Sequence, residues 1–142
     1  MTRLGLFNLD RFVAAQDPVY ADVLNELRAG RKTSHWMWFV FPQLRDLGRS
    51  PMAERYGIAS LAEARAYWEH PVLGPRLREC VDLLLRIEGR TAHQIFGSPD
   101  DLKLRSSLTL FERAVPEEPV FGRALERYFA GERDPLTLAM TR

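Results

Sequence analysis

The chain is poor in cysteine, lysine and histidine, and it has no long apolar run. Its single cysteine, Cys80, cannot form an internal disulfide. A chain of 142 residues buries enough surface on folding to need neither cross-links nor a structural metal. The three histidines, His35, His70 and His93, are not spaced as zinc ligands are, so no metal site is expected. The longest apolar run, Trp36 to Phe41, has six residues, whereas a membrane-spanning helix needs about 18 or more. A soluble protein is therefore expected, with no membrane partner. The first twelve residues, MTRLGLFNLDRF, hold neither an apolar signal core nor a small-residue cleavage site, so a cytoplasmic location is expected. No glycine-rich dinucleotide or phosphate loop is present, and no cofactor is expected.

The balance of what remains is globular: 46% hydrophobic and 27% charged residues suit one domain over residues 1–142. The net charge of +1 argues against general nucleic-acid binding. Charge is nevertheless uneven. Arg28, Arg31, Lys32, Arg45, Arg49 and Arg55 face only Asp46 and Glu54 in the same interval, and this basic excess surrounds the stretch SHWMWFVFPQLRDLG at residues 34–48. Two readings are open, a solvated loop region or a site for an anionic ligand.

Proline and glycine punctuate a helical chain. Asp17–Pro18, Ser50–Pro51, Ser98–Pro99 and Asp134–Pro135 each pair a capping residue with a proline at the first helical position, where the missing amide has no intrahelical partner to lose. Ser60 with Glu63 and Thr91 with Gln94 read as capping boxes. Gly30, Gly57, Gly89, Gly97 and Gly131 fall where apolar periodic runs end. These signals predict helices near 9–16, 18–29, 51–56, 61–69, 72–88, 92–96, 99–115, 119–130 and 135–140. No hairpin dipeptide separates alternating apolar runs, so the expected class is all-α, a compact bundle of about eight or nine short helices. The 72–88 segment is expected to be central, with Cys80 a buried packing thiol, and the 119–130 segment an outer helix.

One helix breaks its own pattern. In DDLKLRSSLTLFERAV, residues 100–115, the apolar arc runs through Leu104, Leu108, Leu110, Phe111, Ala114 and Val115, but Lys103 and Ser107 fall within it and Asp100 lies beside them. Burying an ammonium costs several kcal/mol unless a charge or hydrogen bonds replace water, so Lys103 is expected to meet a partner. The chain has 18 arginines and two lysines, Lys32 and Lys103, which suggests that a compact or titratable ammonium is required there. The plainer alternatives are an ion pair with Asp100 or a side chain that reaches out to water. Ser107, one turn on, is a candidate nucleophile with Lys103 as base, or a helical serine bonded to the carbonyl four residues back. His35 is a candidate acid or base, or a structural histidine.

The segments SHWMWFVFPQ and DDLKLRSSLTLF resemble the signature segments of an uncharacterised bacterial and fungal family, domain of unknown function 1810. FVAAQDPVYADVLNELRAGRK, RYGIASLAEARAYWEHPVLGPRLREC and PVFGRALERYFAGERDP extend the likeness over nearly the whole chain. The resemblance implies a small, predominantly helical domain without an established activity and supplies no catalytic residues. Some members carry the label calpastatin, but calpain inhibitors of that type are disordered repeats, unlike the buried-face helices read here.

The residues themselves suggest a site between segment 34–45 and helix 99–115. Trp36, Trp38 or Phe39 would form an apolar wall, Lys103 and an arginine of the basic cluster such as Arg45 would hold an anion, and His35, Gln43 and Ser107 would orient polar groups with Asp100 beside them, which suits a planar, nucleotide-like anion. If the protein is an enzyme, hydrolytic or transfer chemistry with His35 or Lys103 as base is expected. A protein-interaction module without catalysis is the alternative, and it requires Trp36 and Trp38 to be exposed together.

Overall fold

The computed structural model describes residues 7–142; residues 1–6, half of the segment read above for a signal core, lie outside the described residues. Among the described residues ten α-helices follow in order: α1 Asp10–Gln16, α2 Tyr20–Ala29, α3 Met37–Val40, α4 Pro51–Tyr56, α5 Leu61–Glu69, α6 Leu73–Arg86, α7 Ala92–Phe96, α8 Asp100–Ala114, α9 Val120–Phe129 and α10 Pro135–Met140. A 3₁₀ turn, Arg45–Leu47, joins α3 to α4. No strand occurs among the described residues; Leu44 and Ile58 form one isolated parallel bridge. The all-α class holds, and among the described residues no helix is long and apolar enough to cross a membrane.

The caps explain most of the boundaries. Ser50 Oγ accepts from the Ala53 amide and Asp134 Oδ2 from the Thr137 amide, each ahead of a proline at the first helical position. Thr91 and Gln94 complete a reciprocal capping box. Ser60 accepts from the Glu63 amide, but Glu63 turns instead to the Ala59 amide and to Arg11, so that box is half formed. Two expected starts are corrected. Asp17 closes α1, its amide bonded to Val13 O, and its carboxylate is taken by Arg76 at 2.8 Å; α2 therefore begins only at Tyr20. Ser98 does not cap α8, whose N-cap position is Pro99. The Asp101 and Lys103 amides turn to the Gly97 and Pro99 carbonyls, and the Leu102 amide is shared between Pro99 O and the Asp101 carboxylate.

Two helices carry the core. α8 packs against α5, α7, α9 and α10, while α6 packs against α2, α5 and α9. Along α8 every residue from Ser106 to Phe111 is buried, more than the apolar arc alone requires, because neighbours close around it on several sides. In α6 Leu77, Cys80, Val81, Leu83 and Leu84 are buried, and burial pushes the Cys80 thiol up to about 12, as a packing thiol should behave. α9 turns Val120, Phe121, Ala124 and Leu125 inward. The apolar run at residues 36–41 is mostly core, with Trp36, Met37, Phe39, Val40 and Phe41 all buried around the single turn of α3.

Candidate functional site

The loop between α2 and α3 is held by one carboxylate. Glu26, in the last two turns of α2, accepts from the Thr33 amide at 2.7 Å, the Ser34 amide at 3.0 Å, Ser34 Oγ at 2.5 Å and Trp36 Nε1 at 2.9 Å. Burial works to raise its pKa, but these four bonds outweigh it and bring the group down to about 2. The Lys32 amide adds a bond to Ile95 O at 2.7 Å, tying the loop to α7. Trp36 is thereby fixed in the core, 1% exposed, with its ring against Phe41 and Phe96.

This anchoring brings both lysines of the chain to one aspartate. Lys32 Nζ lies 2.9 Å from Asp100 Oδ2 and Lys103 Nζ lies 3.7 Å from Asp100 Oδ1. Each ammonium also faces an indole: Lys32 is 5.2 Å from the Trp36 ring centroid and Lys103 is 3.6 Å from that of Trp38. The result is a ladder, Trp36, Lys32, Asp100, Lys103, Trp38. Side-chain exposure is 8% for Lys32 and 20% for both Asp100 and Lys103, and Trp38 is half-buried. The question raised by the polar residue in the α8 arc is thus answered twice over, since Lys103 both pairs with Asp100 and rests on an aromatic face. A cation at such a face gains about 0.5–2 kcal/mol depending on its desolvation. Asp100 stands in the first turn of α8, where the helix dipole favours a negative charge and opposes the lysines.

The ladder carries two cations against one carboxylate. Its neighbour Asp101 is engaged elsewhere, accepting from the Leu102 amide and lying 3.3 Å from His93 Nδ1. Of the two ammonium groups, Lys32 is the closer to the shared aspartate and the more deeply buried. Lys103 is the looser and the more accessible, and it keeps donor capacity free.

Of the expected site residues, Trp36, Trp38, Asp100 and Lys103 are brought together. His35 is exposed next to Trp36 and, among the described residues, has no side-chain hydrogen bond or ion pair that would orient it. Gln43 is half-buried and Arg45 exposed; their backbones pair with Ile58, which turns this stretch toward α4 and the 3₁₀ turn. Ser107 is 1% exposed, and its Oγ has no hydrogen-bond partner among the described residues. Ser106, not Ser107, bonds back to the carbonyl four residues earlier, Leu102 O at 3.2 Å. His70 serves structure: its Nδ1 accepts from the Val72 and Leu73 amides at the start of α6. Sequence reasoning placed Lys32 only in the basic cluster, although its rarity marked it out as clearly as Lys103. Glu26 had no local signal, because its partners lie beyond the end of its helix. Among the described residues, the clefts beside α2 and α6 and the one between α5 and α10 are lined by no residue of the ladder.

The fold and the ladder together define an all-α protein of many short helices in which one aspartate gathers the chain's two lysines between two tryptophans. The chain belongs to the family described as protein of unknown function DUF1810, whose model matches residues 6–141. It is similar to the conserved hypothetical protein Rv1873 from Mycobacterium tuberculosis, whose crystal structure shares 58% identity and a TM-score of 0.94, over 95% of this chain and 96% of that one. No curated protein matches the chain.

Proposed function

We propose that this chain binds a small anionic molecule at the Lys103 and Trp38 end of the ladder. The observation that carries the proposal is the sharing of one carboxylate by two ammonium groups, with the more accessible of them held at 3.7 Å. An entering oxyanion supplies the second counter-charge. It draws Lys103 from Asp100, leaves Asp100 to Lys32, and sets the rest of the ligand against the half-buried indole of Trp38. A planar group suits that indole, which is half-buried and already carries Lys103 over its ring.

The proposal concerns binding rather than catalysis. A general base needs an orienting partner and a nucleophile needs access, whereas His35 lacks the first and Ser107 the second. Burial of Trp36 also removes the exposed aromatic pair on which a protein-docking role rested.

A thermal-shift comparison tests this. Adenosine monophosphate, benzoate and inorganic phosphate are added to the native chain and to Lys103→Met. A ligand at a hundredfold excess over its Kd stabilises by about 2.7 kcal/mol, which raises Tm by about 5 °C or more for a chain of this size. The expected result is a shift of that order for at least one planar anion in the native chain and less than about 1 °C in the variant. Equal shifts in both proteins, or none for any of the three compounds, would contradict it.

A further inference from the structure

A cleft of about 500 Å³ opens where the C-terminal ends of α2 and α6 meet, with Leu83 and Ile87 on its floor, Leu27 behind them, and Arg28, Arg86 and Arg90 around its rim. It runs into a second cleft of about 350 Å³ that shares Arg28, Leu83 and Arg86 and carries Glu79 and Asp82. The first has a volume within the range of small-molecule sites, and apolar and charged groups share its lining. Its ionisable lining is three arginines against Glu88, a balance of 3 − 1 = +2. Two helix C-termini subtract roughly half a charge each, so the cleft stays positive.

The ordinary role for arginines at such a place is to cap the last carbonyls of the two helices. Three of the carbonyls at these helix ends already have donors. Leu27 O accepts from the Gly30 amide, Leu84 O from the Ile87 amide and the Tyr128 hydroxyl, and Ile87 O from Arg127. Among the described residues Arg28 and Arg86 make no ion pair or side-chain hydrogen bond, and Arg90 gives one bond, to Gln94 O at 3.1 Å. Arg78, at the far end of the second cleft, is by contrast paired with Glu118 and packed on Trp68. Two unengaged guanidinium groups, Arg28 and Arg86, therefore line the first cleft, each a planar fork that matches a carboxylate or phosphate. Glu79 and Asp82 leave the second less positive than the first.

We infer that the α2/α6 cleft is a binding site, separate from the ladder, for a small molecule that carries one oxyanion group on an aliphatic stem. Arg28 and Arg86 hold the oxyanion, Arg90 closes the rim, and the stem lies on Leu83 and Ile87. Carboxylate and phosphate monoester share the required chemistry.

Calorimetric titration of the full chain with hexanoate, with monohexyl phosphate and with inorganic phosphate tests the inference, alongside Arg28→Gln, Arg86→Gln and Lys103→Met. Arg28 and Arg86 are exposed, and thermal melts verify that their variants stay folded. At least one alkyl probe is expected to bind saturably at one site and more tightly than inorganic phosphate, and the tighter of the two alkyl probes identifies the head group. Each arginine variant is expected to weaken it about tenfold or more, and Lys103→Met to leave it unchanged. The inference is overturned if neither alkyl probe saturates at millimolar concentration, if both arginine variants bind as the native chain does, or if Lys103→Met alone abolishes binding.

Discussion

Glu26→Ala is expected to lower the unfolding free energy by about 3 kcal/mol. Hydrogen bonds to a charged acceptor contribute about 1.5–3 kcal/mol each, and four are lost. The sum overstates the effect because Thr33 is exposed and Ser34 half-buried, so water replaces part of what is removed. Trp36 has no such recourse: its indole N–H is left without an acceptor in the core, at a cost of about 1–3 kcal/mol. The loop carrying Lys32 loses its anchor as well, so ligand binding at the ladder should weaken with stability.

The same residue imposes a pH dependence of known sign. A carboxylate whose folded pKa lies below its unfolded value contributes stability above the unfolded value and loses it as pH falls through the folded one. For Glu26 the window runs from its ordinary 4.5 down to about 2. With allowance for solvent screening of a partly exposed group, about 2 kcal/mol is lost across it. Denaturation curves of the native chain and Glu26→Gln isolate this contribution from other carboxylates. The gap between them is expected to narrow by that amount on acidification, and parallel pH profiles would contradict the assignment.

Gly74→Ala should be at least as damaging, for a reason unrelated to backbone flexibility. Gly74 lies in the first turn of α6, and a Cβ placed there would sit 2.0 Å from the carbonyl oxygen of Trp68 and 3.0 Å from its carbonyl carbon. Both atoms belong to the backbone near the end of α5, so no side chain can swing aside. The two helices must separate, at a cost of about 3 kcal/mol or more, which lowers Tm by roughly 6–12 °C in a chain of this length. Gly89→Ala provides the contrast. A Cβ there meets nothing within 4 Å, but φ is +71°, so the expected cost is the about 1–2 kcal/mol of left-handed backbone alone. Similar losses in the two variants would show that α5 and α6 are not in the close approach described.

Much of the fold was legible because local chemistry sets helix ends. Ser50, Thr91 and Asp134 cap as their sequences suggest, each satisfying an amide three residues ahead. Asp17 misled because a distant arginine claims its carboxylate, which no local rule can anticipate. The turn of α3 was invisible to periodicity, since Met37–Val40 is too short to show a repeat and is buried nearly all round. Half of the candidate site could be read as well. Lys103 stood out as a charge in an apolar arc and Trp38 was expected opposite it, but Lys32, which shares Asp100, comes from a distant loop. The basic cluster counted along the chain is divided in space: Arg28 goes to the α2/α6 cleft, Lys32 to the ladder, and Arg45 to a turn beside α4. Adjacency in sequence therefore pointed to Gln43 and Arg45 as ligand residues when the ladder needed Lys32.

Because Lys32 and Lys103 are the only lysines in the chain, selective isotopic labelling of lysine yields two side-chain NMR signals that report on the two rungs of the ladder separately. In the free protein the Lys103 ε-methylene protons are expected upfield, under the ring current of Trp38. On saturation with adenosine monophosphate they are predicted to move as the ammonium turns from Asp100 to the ligand, while the Lys32 signal, held by Asp100 at 2.9 Å, shifts far less. If neither lysine responds at concentrations where the ligand is bound, or if Lys32 responds and Lys103 does not, the ladder is a structural ion-pair cluster and the proposed site is wrong.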